Sequence, residues 1–146
     1  LQTTDGGGIY TFGMDGTGSE IAYNRIYNVK AGGFGAVGIF LDNSSSNYVV
    51  HHNVVWNTTH ALKMNYAATN NRVLNNTLAG NSTSLTTSSN ADFTGTVVQN
   101  NIFTKGVRYG ANVVAEDNLK PGTDAKFVDA GLKKAREVTA SSPACF

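Results

Sequence analysis

Apolar residues recur along this chain in short alternating runs, and four of the runs align on one asparagine. They are IAYNRIYN (21–28), VHHNVVWN (50–57), VLNNTLAG (73–80) and VQNNIFTK (98–105). Each has an apolar residue three positions before the central Asn (Ile21, Val50, Val73, Val98) and another two after it (Ile26, Val55, Leu78, Phe103). The central residues, Asn24, Asn53, Asn76 and Asn101, are spaced 29, 23 and 25 apart. A second run keeps nearly the same period: GIYTF (8–12), GIFLD (38–42), ALKMN (61–65) and SLTTS (84–88), anchored on Ile9, Ile39, Leu62 and Leu85. A period in the twenties built from short strands predicts a solenoid. Leucine-rich repeats share the period, but their Leu-x-x-Leu-x-Leu pattern is absent. The pattern therefore predicts an all-β parallel β-helix, three short strands per coil, of about four to five coils. Coils stack at roughly 4.8 Å, so equivalent residues lie over one another and the recurrent Asn predicts an amide ladder at a tight bend.

Composition agrees. Gly is frequent, Pro occurs twice, and 14% of residues are charged for a net charge of +1. This favours tight turns over long helices and gives no footprint for a nucleic-acid partner. No apolar run reaches membrane-spanning length, and Leu1-Gln2-Thr3 reads as the interior of a longer protein or a processed end. The single Cys145 provides no internal disulfide and no cysteine-rich zinc site. His51 and His52, beside the ladder residue Asn53, read as scaffold, because their counterparts in the other coils are not metal ligands. No metal and no cofactor are expected. Four sequons, at Asn43, Asn57, Asn75 and Asn81, point to a secreted glycoprotein if the source is eukaryotic.

The phrases DGGGIYTFG, IAYNRIYNV, GIFLDNSSSNYVVHHNVVWN and NNRVLNNTLAGN resemble secreted right-handed parallel β-helix proteins of the pectin-lyase-like superfamily, most of all its glycoside hydrolases. The tail DAKFVDAGLKKAREVTASSPACF is similar to the closing segment of that family. The resemblance implies a secreted, carbohydrate-active protein with coils over residues 1–118 and an extended tail over 119–146. It also implies a groove along the first strand of each coil.

Strand alternation turns two columns outward there: Tyr10–Phe40–Lys63–Thr86 and Phe12–Asp42–Asn65–Ser88. Tyr10, Phe12, Phe40, Lys63 and Asn65 are the candidate polysaccharide contacts, since aromatic rings stack on sugars while amides and ammonium groups bond hydroxyls. An ordinary strand surface with aromatic cross-strand packing would look the same. Hydrolysis needs two carboxylates, roughly 5–5.5 Å apart for retention or 6.5–9.5 Å for inversion. Asp42 in GIFLDN, which resembles the family's Y-L-D motif, is the first choice. Asp15, with its Cα roughly 11 Å away on straight strands, is the better partner, ahead of Asp5 at roughly 23 Å. All three also fit turn chemistry. A calcium-dependent lyase would need more stacked carboxylates. The alternative to hydrolysis is a non-catalytic β-helix that binds glycans or stacks end to end through open strand edges.

Overall fold

The computed structural model describes residues 5–30 and 35–120. The first coil carries β1 (Gly7–Thr11), β2 (Glu20–Ala22) and β3 (Arg25–Tyr27), and the second β4 (Val37–Leu41), β5 (Val49–His51) and β6 (Val54–Trp56). The third holds β7 (His60–Met64), β8 (Arg72–Leu74) and β9 (Thr77–Ala79), and the fourth β10 (Thr83–Thr87), β11 (Val97–Gln99) and β12 (Ile102–Phe103). A partial fifth coil adds β13 (Gly106–Val107) and β14 (Val114–Glu116). Strands of successive coils pair in parallel into three sheets: β1-β4-β7-β10-β13, β2-β5-β8-β11-β14 and β3-β6-β9-β12. This is the expected parallel β-helix. The expected tail from 119 lies almost wholly outside the described residues. At its start Leu119 still bridges Ile102 of the third sheet.

The registers follow the sequence period residue by residue. Ile9 pairs with Ile39, Ile39 with Leu62, and Leu62 with Leu85. Ile21, Val50, Val73 and Val98 stack on the second sheet, and Ile26, Val55, Leu78 and Phe103 on the third. Their side chains meet in one core, where Ile39, Leu62, Leu85, Val50, Val55, Val73 and Leu78 are wholly buried. Strand cores this narrow leave no room for a large residue at every inward position. A Cβ on Gly38 would collide with Val55 Cγ1 and lie 2.6 Å from the Ala61 carbonyl oxygen. The first strand therefore enters each coil on a small residue: Gly8, Gly38, Ala61 and Ser84.

The bend between the second and third sheets has two residues. The first takes a left-handed backbone, at Tyr23, His52, Asn75, Asn100 and Asp117, with φ between 51° and 58°. The second is the ladder asparagine. Asn24 Nδ2 donates to Asn53 Oδ1 (3.0 Å), Asn53 to Asn76 (2.9 Å), Asn76 to Asn101 (3.0 Å) and Asn101 to Asn118 (2.9 Å). Each amide oxygen also accepts the backbone N–H of the preceding rung, as Asn76 Oδ1 does from Asn53 N (3.0 Å). Each interior amide nitrogen reaches strand-end carbonyls, as Asn76 Nδ2 does to Val50 and Leu74. Left-handed backbone cannot continue a β ladder, so the side chain satisfies the polar groups that the bend strips of strand partners.

Asn53, Asn76 and Asn101 are at most 1% exposed, whereas the end rung Asn24 is partly solvated. Asn76→Ala removes acceptor and donor from four buried neighbours and should cost about 3 kcal/mol, against about 1 kcal/mol for Asn24→Ala. Urea unfolding midpoints compared at unchanged slope measure the difference. Equal destabilisation by the two variants would contradict the ladder's interior role.

Candidate functional site

The outer face of the first sheet brings together the residues the sequence singles out. Tyr10 pairs with Phe40 and Phe40 with Lys63, and Lys63 with Thr86. The Phe40 ring is closed off: Tyr10 meets it edge-on at 5.4 Å, Lys63 Nζ lies 4.8 Å from its centroid, and 2% of it is exposed. Phe40 thus faces outward without offering a ring face to a ligand, and instead supports the tyrosine and the lysine. Asp42, just past the same strand, is likewise only 4% exposed. Tyr10 and Phe12 stand open to solvent, and Lys63 and Asn65 are half-buried.

Asp42 sits just past the end of β4, and its carboxylate gathers three donors from three coils. Oδ2 accepts the Tyr10 hydroxyl at 2.7 Å, and Oδ1 accepts Asn65 Nδ2 at 2.7 Å and its neighbour's backbone N–H, Asn43 N, at 2.8 Å. The Tyr10 hydroxyl is pushed up from an ordinary 10 to about 12. The hydrogen bond to Asp42 contributes most, followed by burial of the hydroxyl and the negative charges of Asp42 and Asp5. A phenolate facing a carboxylate loses a hydrogen bond and gains a repulsion. Two polar atoms beside this cluster, Asn43 Oδ1 and Ser88 Oγ, are buried without a protein partner. A buried polar atom left so is a natural anchor for water or a ligand hydroxyl.

Asp15 does something different. Its Oδ1 accepts Thr17 N (2.9 Å), Thr17 Oγ1 (2.7 Å) and Asn47 Nδ2 (2.8 Å), and its backbone bridges Ser46. The same device recurs three coils on, where Asp92 Oδ1 accepts Thr94 N, Thr94 Oγ1 and Asn112 Nδ2 at 3.0, 2.7 and 2.8 Å. Both turns read Asp-x-Thr-Gly, DGTG at 15–18 and DFTG at 92–95. These hydrogen bonds, from the asparagine first, hold both carboxyls below the usual range. Asp15 is thus engaged as a turn carboxylate and carries no proton for general-acid work at neutral pH. Asp5, placed second from the sequence, acts on the site through its charge at the Tyr10 hydroxyl.

Of the sequon residues, Asn57, Asn75 and Asn81 are exposed and Asn43 is half-buried. Asn57 Nδ2 donates to Asn28 Oδ1, and Asn81 Nδ2 to Asn57 Oδ1, so these two form a second, external ladder. Asn75, at the left-handed bend, makes no side-chain hydrogen bond among the described residues. His51 and His52 share a hydrogen bond between their Nδ1 atoms (2.6 Å) and pack on Tyr23, with Glu20 3.4 Å from His51 Nε2. Among the described residues no group of three or more His, Cys, Asp or Glu side chains is arranged to hold a metal. No helix among them is long and apolar enough to cross a membrane.

What the sequence missed is the network: nothing in GIYTF says that its tyrosine hydroxyl will reach one coil over to a carboxylate. The turn reading of Asp15 was legible, and the repeat of Asp-x-Thr-Gly at 92–95 is the signal that would have favoured it over a catalytic role.

No curated protein and no solved structure matches the chain. A family model described as the right-handed beta helix region matches residues 3–125. That span contains all fourteen strands of the described residues, both ladders and the Asp42 cluster. The chain belongs to the right-handed β-helix family.

Proposed function

We propose that this protein binds polysaccharide on the outer face of its first sheet, outside the cell, and that Asp42 positions the binding groups. The observation that carries this reading is the buried Asp42 carboxylate fixing the Tyr10 hydroxyl and the Asn65 amide at 2.7 Å each. Around that anchor stand two exposed aromatic rings with a half-buried ammonium group and amide, the set that stacks on sugar rings and bonds their hydroxyls. Sites hold ligands tightly when their polar groups are fixed in advance, because less side-chain freedom is lost on binding.

Hydrolysis is the second reading, and the observation favouring it is Asp5. Its charge is the smallest of the influences on the tyrosine that bonds Asp42, and because Asp15 is committed to Thr17 and Asn47, Asp5/Asp42 is the carboxylate pair left to test. Against it, every group bonded to Asp42 donates to it.

Binding to a panel of insoluble polysaccharides tests the principal reading. Lys63→Ala and Asn65→Ala should each weaken retention by about tenfold, equivalent to roughly 1.4 kcal/mol for each sugar hydroxyl left without its protein partner. Asp42→Asn should weaken it as much through Tyr10 and Asn65, with no reducing ends released by any form. Release of reducing ends that Asp5→Asn and Asp42→Asn both abolish would establish hydrolysis instead. Wild-type protein that neither binds nor cleaves would refute both.

Tyr10 makes a pH prediction. Its hydroxyl ionises less readily in the folded state, so the stability it contributes is full below pH 10 and disappears as pH rises to about 12. Phenolate absorbance should show one late tyrosine that Tyr10→Phe removes, and that variant should be less sensitive to pH across this window.

Secretion is supported by the exposed sequons. In a eukaryotic host a glycan should appear first on Asn75, whose amide is uncommitted, and Asn75→Gln should remove that mass increment. A chain secreted with no glycan at all would count against the proposal.

A further inference from the structure

The third sheet carries an aromatic step that the first-sheet site does not use. Tyr27 and Trp56, register partners on β3 and β6, stack with centroids 4.5 Å apart and planes 12° apart. They are 53% and 37% exposed. In the next coil the register partner of Trp56 is Ala79, so the column of rings stops at a methyl group. Thr104, following the Leu78 partner Phe103, is also small and exposed. The coil spacing of roughly 4.8 Å is close to the separation of stacked rings. The rung above Ala79 is therefore one ring thick, with the far face of Trp56 as its wall and Thr77 and Ala79 as its half-buried floor.

Polar groups border this rung on the turn side. Asn57 and Asn81 of the external ladder join Thr58, Thr59, Val29 and Lys30 in lining an open cleft of about 270 Å³. Thr58 is buried with its hydroxyl donating to the His60 carbonyl, and Thr59 Oγ1 accepts the Ala36 N–H. The groups that face a ligand are therefore the exposed Asn57 and Asn81 amides, each of whose nitrogens keeps one hydrogen beyond its ladder bond. A flat aromatic ligand would use the indole face and neither amide. A pyranose ring uses the indole and the amides together, setting its axial C–H bonds on the indole and its equatorial hydroxyls toward the amides. We infer that the rung between Trp56 and Ala79 is a second sugar-binding site, for a pyranose with equatorial hydroxyls, as in β-linked glucose or xylose chains.

Trp56 is the single tryptophan of the chain, so its emission reports on this rung and not on the first sheet. The full-length protein, produced without N-glycans, is titrated with cello-oligosaccharides and with xylo-oligosaccharides. The expected result is a saturable change in Trp56 emission with at least one of them. Ala79→Leu fills the rung and should weaken binding by about tenfold or more, the worth of one sugar ring stacked on an indole, while Ala79→Ser keeps the rung open and should retain it. Circular dichroism confirms that both variants fold. No emission change up to millimolar sugar overturns the inference. So does a change that Ala79→Leu leaves intact, because the sugar is then bound elsewhere.

Discussion

Every coil must turn a corner where the backbone leaves one sheet and enters the next, and there its polar groups lose their strand partners. The buried asparagine column resolves this. Each interior amide accepts the N–H of one coil and donates to carbonyls of two, so one side chain closes the bend and ties adjacent coils together. An amide is the one uncharged side chain that both accepts and donates at this reach. A carboxylate would bury charge and an aliphatic residue would orphan the bend. Because these bonds form only when equivalent positions coincide, the ladder also sets the register of all three sheets.

The candidate site is a consequence of that register. Tyr10, Asp42 and Asn65 are 32 and 23 residues apart in sequence. They meet because three successive coils present their first strands in step. The same stacking gathers Tyr27 with Trp56 on the third sheet and Asn28, Asn57 and Asn81 on the turn beside it. A one-residue slip would send Asp42 into the core and Leu41 to the surface. The fold and the proposed binding site therefore rest on one constraint, and any activity on this face would inherit its geometry from the ladder.

The fold was legible because its repeating unit is written in apolar positions and one amide. The columns read from the sequence are the registers found, from Ile9–Ile39–Leu62–Leu85 to Tyr10–Phe40–Lys63–Thr86. The fifth rung, Asn118, escaped notice because its segment AEDNLK replaces the apolar residue two after the asparagine with Lys120. The site was legible only as a set of residues. Alternation shows that Phe40 points outward, but not that Tyr10 and Lys63 close over it. Spacing on straight strands favoured Asp15 over Asp5. It carried no information about which hydrogen bonds a turn would draw on, and those commit Asp15 to Thr17 and Asn47. Period and alternation fix where a backbone goes, whereas side-chain pairing depends on rotamers and neighbours that a period does not encode.

The most direct test of a preformed site on a rigid ladder follows the side-chain amide resonances of asparagine while a polysaccharide fragment is added. The Asn65 amide, held by Asp42 at the open face, is predicted to shift with saturation while the buried ladder amides of Asn53 and Asn76 stay in place. An Asn65 amide that does not move in the presence of bound sugar, or ladder amides that move with it, would contradict that picture.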